Sequence, residues 1–254
     1  MKIGIIGSGN VATVMGRKVS KAGHKIIQVI SRNEGHAQLL AKELNCGYAS
    51  SFDDLNRDGD LYMVAISDSS LLELDKHLSL EKKMIVHTAG SVSKNVLGKI
   101  SKNYGVLYPL QSLRKENENI PEIPLLVDAN TAENLTLIYD FAKTISNDVR
   151  HSNDEERLKL HVGAIIVNNF TNHLYALTEN YCKKENVDFK LLLPLINETA
   201  SRLHFFSPTE LQTGPAARND KLTIEKHLAL LKDHPALKRI YELMTESILA
   251  NKGQ

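Results

Sequence analysis

Near the start of the chain, Gly7-Ser8-Gly9-Asn10-Val11-Ala12 spells GxGxxA, directly after the apolar run Lys2–Ile6 and directly before a segment with helical spacing. Strand, glycine turn and helix in that order make a phosphate cradle. Gly7 permits the tight turn, Gly9 lets a pyrophosphate approach the backbone, and small Ala12 lets helix and strand pack closely. The backbone amides of Ser8, Asn10 and Val11 then lie at a helix amino end, where unpaired N–H groups and the helix dipole attract anions. The expectation is a dinucleotide site built from Gly7 to Ala12.

The end of the second apolar run discriminates between dinucleotides. A carboxylate there, about 20 residues after the glycines, bonds a ribose 2′-hydroxyl. Here the run ends Val29-Ile30-Ser31-Arg32-Asn33, with no carboxylate before Glu34. Ser31 can donate to a 2′-phosphate and Arg32 can clamp one through its planar fork. NADP(H) is therefore expected over NAD(H); the alternative for Arg32 is a solvated surface arginine. Ile66-Ser67-Asp68 and His87-Thr88-Ala89 follow two further runs, at strand ends where ligands bind in open α/β sheets. The loop backbone at Ile66, Ser67, His87 and Ala89 is expected to face the ribose and nicotinamide, while Asp68 reads equally well as a helix cap.

Two further constellations could carry chemistry. On a segment of helical spacing, Asp154–Lys184, the polar residues His161, Asn168, Asn169, Asn172 and His173 interrupt an apolar pattern. In one continuous α-helix His161, Asn168 and Asn172 would share a face, with Asn169 and His173 beside it. Asn168 and Asn169 could bond a substrate carbonyl or carboxylate, and His161 could supply a proton during hydride transfer. The structural alternative is polar groups satisfied in a helical bundle. Thr213-Gly214-Pro215-Ala216-Ala217-Arg218-Asn219-Asp220 is a turn in which Arg218 could bind an anionic substrate group, or pair with Asp220, itself a plausible helix cap. No HxH, HExxH or CxxC spacing offers a metal site, and neither Cys46 nor Cys182 has a nucleophile signature.

These residues need elements to hold them. Buried-strand patterns at Lys2–Ile6, Lys25–Ile30, Leu61–Ile66, Met84–Thr88, Val106–Tyr108 and Pro124–Val127 alternate with helical patterns at Val11–Ala22, Glu34–Leu44, Ser69–Leu78, Val92–Ile100 and Thr131–Ile145. That alternation predicts a Rossmann-type, mostly parallel sheet covered on both faces. Tyr48–Ala49 and Val149–Arg150 could add short strands. From Asn153 onward only helical patterns are found, including one starting at Pro235, so the α/β domain is expected to span residues 1–152 and an all-α domain 153–254. The 254 residues carry 31 Lys and Arg against 30 Asp and Glu, a balance that offers no footprint for nucleic acid or an anionic membrane. No run is long enough to span a membrane, the amino terminus lacks a signal-peptide pattern, and two distant cysteines fit a reducing, cytoplasmic setting.

Taken together, GIIGSGNVA, ISRN, VAISDSSL, HTAGS and YPLQSL resemble the Rossmann domain of the six-phosphogluconate-dehydrogenase-like superfamily, which includes hydroxyisobutyrate dehydrogenases, pyrroline-carboxylate reductases, ketopantoate reductases and coenzyme F420-type NADP reductases. HTAGS, YPLQSL, the Asn168-Asn169 pair and TGPAARND are similar, more narrowly, to a bacterial family of predicted NADP oxidoreductases whose helical C-terminal domain has no assigned function. The resemblance spans essentially the whole chain and implies an NADP-linked oxidoreductase and a homodimer formed through the helical domain. One departure stands out. Hydroxyacid dehydrogenases of the superfamily carry a catalytic lysine four residues before an asparagine on the long helix, and here those positions hold Ala164 and Ile165. The expected activity is hydride transfer between NADP(H) and a small carbonyl, hydroxyl or imine compound. The missing lysine motivates the alternative of an NADP(H)-binding sensor without turnover, and reduction of a flavin or deazaflavin is a third option.

Overall fold

The computed structural model describes residues 1–117 and 119–251. Eight strands form one sheet: β1 (Lys2–Ile6), β2 (Lys25–Ile30), β3 (Gly47–Ala49), β4 (Leu61–Val64), β5 (Glu81–His87), β6 (Ser101–Pro109), β7 (Leu125–Ala129) and β8 (Val149–His151). Their order is β3-β2-β1-β4-β5-β6-β7-β8, and the β6–β7 pair is antiparallel while the other pairs run parallel. The expected Rossmann-type sheet is therefore present, with both short additional strands in place.

Both faces of the sheet are covered, as its runs of Ile, Val and Leu require. On one face Ile3 and Ile5 of β1 pack in one cluster with Met15 and Val19 of α1 (Asn10–Lys21), Leu40 of α2 (Glu34–Glu43) and a phenylalanine, Phe141, of the helix that precedes β8. On the other, Ile6, Tyr62 and Val64 cluster with Leu71, Leu74 and Leu97. These come from α3 (Asp68–Leu71) and from two single 3₁₀ turns, Leu74–Lys76 and Lys94–Leu97. The helix bearing Phe141 is α4 (Ala132–Lys143). Strand β1 lies at the point where chain order reverses, with β2 on one side and β4 on the other. Connections leaving β1 and β4 must separate there, and a crevice opens beyond their carboxyl ends.

Two expected helices differ. Ser69–Leu78 divides into α3 and a 3₁₀ turn, still burying Leu71, Leu74 and Leu78. Val92–Ile100 forms only the 3₁₀ turn Lys94–Leu97. Gly98 is a poor helix residue and the chain enters β6 at Ser101, so too little length remains to repay helix nucleation.

The segment expected as one long helix is instead α5 (Asp154–Ala164), a π-helical stretch Ile165–Phe170, and α6 (Thr171–Lys184). The chain divides into two compact units between Asn168 and Asn169, later than the end of the sheet. The reason is the first turn of α5. Asp154 accepts from the Ser93 hydroxyl at 2.5 Å and the Lys94 amide at 3.2 Å, and Arg157 donates to the Val92 carbonyl at 2.6 Å. Those bonds fasten α5 to the loop after β5.

The second unit, by itself, is helical: α6, then α7 (Leu193–Arg202), α8 (Pro215–Arg218), α9 (Lys221–Leu230) and α10 (Pro235–Ala250). Among its described residues only Cys182, Ala216, Leu231 and His234 are buried, and Leu191, Leu195, Phe205 and Leu222 are each more than half exposed.

Candidate functional site

The amino end of α1 is unlike the other long helix starts of the sheet unit. Asn33, Thr131 and Asn153 cap α2, α4 and α5 with side-chain oxygens. At α1 the capping position is Gly9, no side chain caps the turn, and no acidic residue lies in it. The amides of the first turn are left for something else. The two glycines contribute differently. Gly7 has φ of +121°, a conformation that favours glycine, and a Cβ there would fall 2.1 Å from the Ala65 carbonyl oxygen. Gly9 has ordinary backbone, and a Cβ there would meet no protein atom within 4 Å. One glycine is needed by the fold; the other keeps open a space that an oxyanion fits.

That space belongs to a cavity of about 650 Å³ whose walls all come from the sheet unit. Its floor is the turn Gly7-Ser8-Gly9-Asn10-Val11; Ile30, Ser31 and Arg32 follow β2, and Ile66 and Ser67 follow β4. Phe52, Leu74 and His77 line it as well, as do Thr88 and Ala89 beside a group in mutual contact, Gly90, Tyr108 and His161. The turn is tied down by the Gly7 amide donating to the Ile30 carbonyl at 2.7 Å and the Ser8 hydroxyl donating to Ser31 Oγ at 2.8 Å. Arg32 Nη2 donates to Ser70 Oγ at 3.1 Å, and Ser67, which caps α3 in place of Asp68, shares its hydroxyl with Ser70 at 2.9 Å. Asp68 accepts instead from the Ser91 hydroxyl. The donor set, open amides and hydroxyls around a glycine floor with a guanidinium at one edge, fits the phosphates of a dinucleotide.

Ala12, expected to serve packing, and His87, expected to face the ligand through its backbone, do not line the cavity. Ala12 is fully buried in the core beneath α1, serving helix–strand packing. His87 is fully buried at the end of β5; its Nδ1 accepts from the Ala89 amide at 3.2 Å, so it shapes the loop from below. Burial, and after it the Arg157 guanidinium, hold the His87 imidazole down at about 4, against weaker opposing effects of the Ser93 backbone, Asp154 and Asp68. His87 Nε2 and Arg157 Nε and Nη1 are buried without a protein hydrogen-bond partner.

Of the four residues expected to act on substrate, His161 lines the cavity. The π-helical stretch shifts the helical phase of the residues beyond α5, so the spacing from His161 to Asn168 no longer returns the two side chains to one face; Asn168 is exposed and is not part of the cavity wall. Asn169 and Arg218 belong to the second unit. There Arg218 lies at the end of α8, exposed, and Asp220 caps α9 by accepting from the Thr223 amide at 3.1 Å and its hydroxyl at 2.7 Å. Asn172 and His173 are exposed on α6.

Tyr108 and Gly90 were not among the expected site residues. Tyr108 Oη lies 3.0 Å from His161 Nδ1, and a Cβ on Gly90 would come within 2.7 Å of the same nitrogen. The signal was present in the stretches HTAGS and YPLQSL, of which only His87 and Ala89 had been given a role.

Residues 2–90 match the family described as NADP oxidoreductase, coenzyme F420-dependent, and residues 123–248 match a domain of unknown function, DUF2520. A solved structure from Bacteroides fragilis, assigned as an NADP oxidoreductase, is 38% identical with a TM-score of 0.93, each chain covered over 98% of its length. The fold is shared more distantly with a 1-pyrroline-5-carboxylate reductase of Streptococcus pyogenes (16% identity, TM-score 0.67, 98% of each chain). It is also shared with an imine reductase of Myxococcus stipitatus solved with NADP+ (15% identity, TM-score 0.64, 100% of this chain and 96% of that one). No curated protein matches the sequence. The chain belongs to the NADP oxidoreductase family in which a Rossmann domain of the coenzyme F420-dependent type is joined to a DUF2520 domain.

Proposed function

We propose that this protein binds NADP(H) in the glycine-floored cavity and passes a hydride between its nicotinamide and a small carbonyl, hydroxyl or imine compound. The observation that carries the reading is the uncapped amino end of α1 opening at the sheet's reversal point, with Ser31 and Arg32 on the same cavity. The turn Gly7 to Val11 would hold the pyrophosphate, Ser31 and Arg32 the 2′-phosphate, and Ile66, Ser67 and the Thr88–Gly90 loop the ribose and nicotinamide side. The bound cofactor supplies the hydride chemistry; the chain's residues bind it, orient it and handle the proton.

Proton supply is where this chain departs from hydroxyacid dehydrogenases. With Ala164 and Ile165 where a lysine would be sought, His161 is the cavity side chain whose ring nitrogens could pass a proton to or from a substrate. Asn168, Asn169 and Arg218 remain candidates for substrate contacts by their chemistry alone.

The same proposal includes a homodimer. A helical unit with so few buried side chains and so many exposed Leu and Phe lacks a core of its own, and a second copy of that unit would supply the missing contacts. A reducing compartment such as the cytoplasm suits the two free thiols, and burial raises the Cys46 thiol to about 11, which removes it as a nucleophile. Among the described residues no helix is long and apolar enough to cross a membrane, and no group of three or more His, Cys, Asp or Glu could hold a metal ion.

Calorimetric titration of the purified protein with NADPH, NADP+ and NADH tests the site. NADPH heat exceeding NADH heat supports it, and no heat with either reduced form overturns it. NADPH oxidation measured against a panel of small ketones, aldehydes and cyclic imines then separates an enzyme from a sensor that binds without turnover.

A further inference from the structure

The part of the cavity wall formed by Gly90, Tyr108 and His161 bears on which nitrogen of the histidine works, given the oxidoreductase reading above. Tyr108 lies near the end of β6 and is buried, while His161, on α5, is partly buried. Their rings meet edge to face, with centroids 6.0 Å apart and planes at 76°, and the shared bond runs between Oη and Nδ1 at 3.0 Å. Gly90 makes the arrangement possible. A Cβ there would lie 2.7 Å from His161 Nδ1 and 2.9 Å from Tyr108 Cζ, closer than real Cβ contacts come.

We propose that Tyr108, with the room Gly90 leaves, holds the proton of neutral His161 on Nδ1, so that the ring exchanges its working proton with substrate through Nε2. The tautomer of a histidine is set by the bond its other nitrogen makes, and here that nitrogen faces a phenolic oxygen able to accept. Tyr108 is a positioning residue in this arrangement. Burial raises its phenol, with the Arg157 guanidinium pulling the other way less strongly, so it keeps its own proton while accepting from Nδ1. Tyr108 lines the open cavity, so its own O–H is left to donate to solvent there, and to a carbonyl or imine when one is bound.

In the reducing direction the balance is simple. As the substrate carbon receives the hydride of the proposed reaction, its π pair moves to the oxygen or nitrogen. The Nε2–H bond of the imidazolium breaks and an O–H or N–H bond forms on that heteroatom. His161 is left neutral with its proton on Nδ1, and Nε2 takes up its next proton from solvent.

The test needs no substrate. Long-range ¹H–¹⁵N correlation spectra of ¹⁵N-histidine-labelled protein at pH 8, with the His161 signal assigned by its loss in His161→Asn, report the tautomer directly. The expected result is a proton on Nδ1 in the wild type and a shift of population toward Nε2–H in Tyr108→Phe and in Gly90→Ala. A wild-type ring protonated on Nε2 overturns the proposal, because Tyr108 then donates to the ring. A tautomer unchanged by Tyr108→Phe overturns it as well. Should a variant fail to fold, the wild-type spectrum decides alone. NADPH titration of the same wild-type sample keeps the two ideas apart: no binding there removes the oxidoreductase reading, whatever the tautomer.

Discussion

Arg32 reaches from the end of β2 to donate through Nη2 to Ser70 Oγ, 3.1 Å away on α3, so the guanidinium at the cavity edge is tethered by the element that comes after β4. A tethered arginine loses less freedom when it grips a phosphate than a solvated one. Charge-assisted hydrogen bonds contribute about 1.5–3 kcal/mol, so Arg32→Glu should weaken NADPH by roughly ten- to a hundred-fold or more, while NADH changes by less than about threefold. Ser70→Ala should cost NADPH only a few-fold, about 1 kcal/mol or less, and leave NADH alone. Calorimetry with both nucleotides checks this; equal losses for the two would show that Arg32 does not read the 2′-position.

The two glycines of the turn should fail in different ways. At Gly7 the positive φ and the approach of the Ala65 carbonyl make any side chain costly, and Gly7→Ala should lower folding stability by about 3 kcal/mol or more. At Gly9 the backbone is ordinary and the space beyond it open, so Gly9→Val should change stability by less than about 0.5 kcal/mol yet weaken NADPH by more than about tenfold. Urea unfolding and NADPH titration on both variants separate the roles. Normal NADPH affinity in Gly9→Val would mean that the phosphates lie elsewhere.

That contrast also bounds what was legible beforehand. The turn at Gly7 to Val11 and the strand end Ser31-Arg32 are local patterns with a fixed spacing, and they meet on one cavity. The pairing of Tyr108 with His161 is not local. It depends on how far α5 is drawn along the sheet by Asp154 and Arg157, which spacing does not report. The π-helical stretch was equally hidden: the three- and four-residue apolar spacing runs on through Ile165, Ile166 and Phe170, yet its altered bonding parts His161 from Asn168. Val92–Ile100 had the right apolar period but not the length.

The exposed apolar side chains of the second unit predict a dimer. Sedimentation should give about twice the 28.3 kDa chain mass at micromolar concentration. Leu195→Glu and Phe205→Glu, at positions 65% and 80% exposed in the single chain, should shift the protein toward monomer without disturbing the core of the sheet unit. A wild-type monomer would show that this face is covered by something other than a second copy.

His87 should make stability depend on pH in a defined window. Its folded-state value of about 4 lies below the 6.5 of an ordinary histidine. Above pH 6.5 neither state binds the proton and the contribution is constant. Between 6.5 and 4 the unfolded chain takes up a proton that the folded one refuses, so stability falls as pH falls, by about 3 kcal/mol in all. Below about 4 both states are protonated and the loss stops. In His87→Gln that component is absent, so wild-type stability minus variant stability should shrink by about 2–3 kcal/mol between about pH 7 and pH 4 in urea titrations. Parallel curves for the two proteins would rule the effect out.

Arg157 ties these observations together. Its side chain is 1% exposed, and its Nη2 alone holds both the Val92 carbonyl and Asp154, at 2.6 and 2.7 Å. Breaking a buried ion pair from one side costs about 3–5 kcal/mol, because the partner is left behind. Asp154 is 35% exposed and can recover some hydration, which places Arg157→Ala near the lower end of that range. Arg157→Met should cost less, since it refills the volume and removes the two donors, Nε and Nη1, that find no protein partner. Both variants remove a cation that depresses His87, so the His87 imidazole should titrate above its wild-type value of about 4, and the acid-side loss of stability should be smaller. Histidine NMR titration of Arg157→Met reads this directly. An unmoved His87 would place the guanidinium's charge too far away, or too well compensated by Asp154, to act on β5.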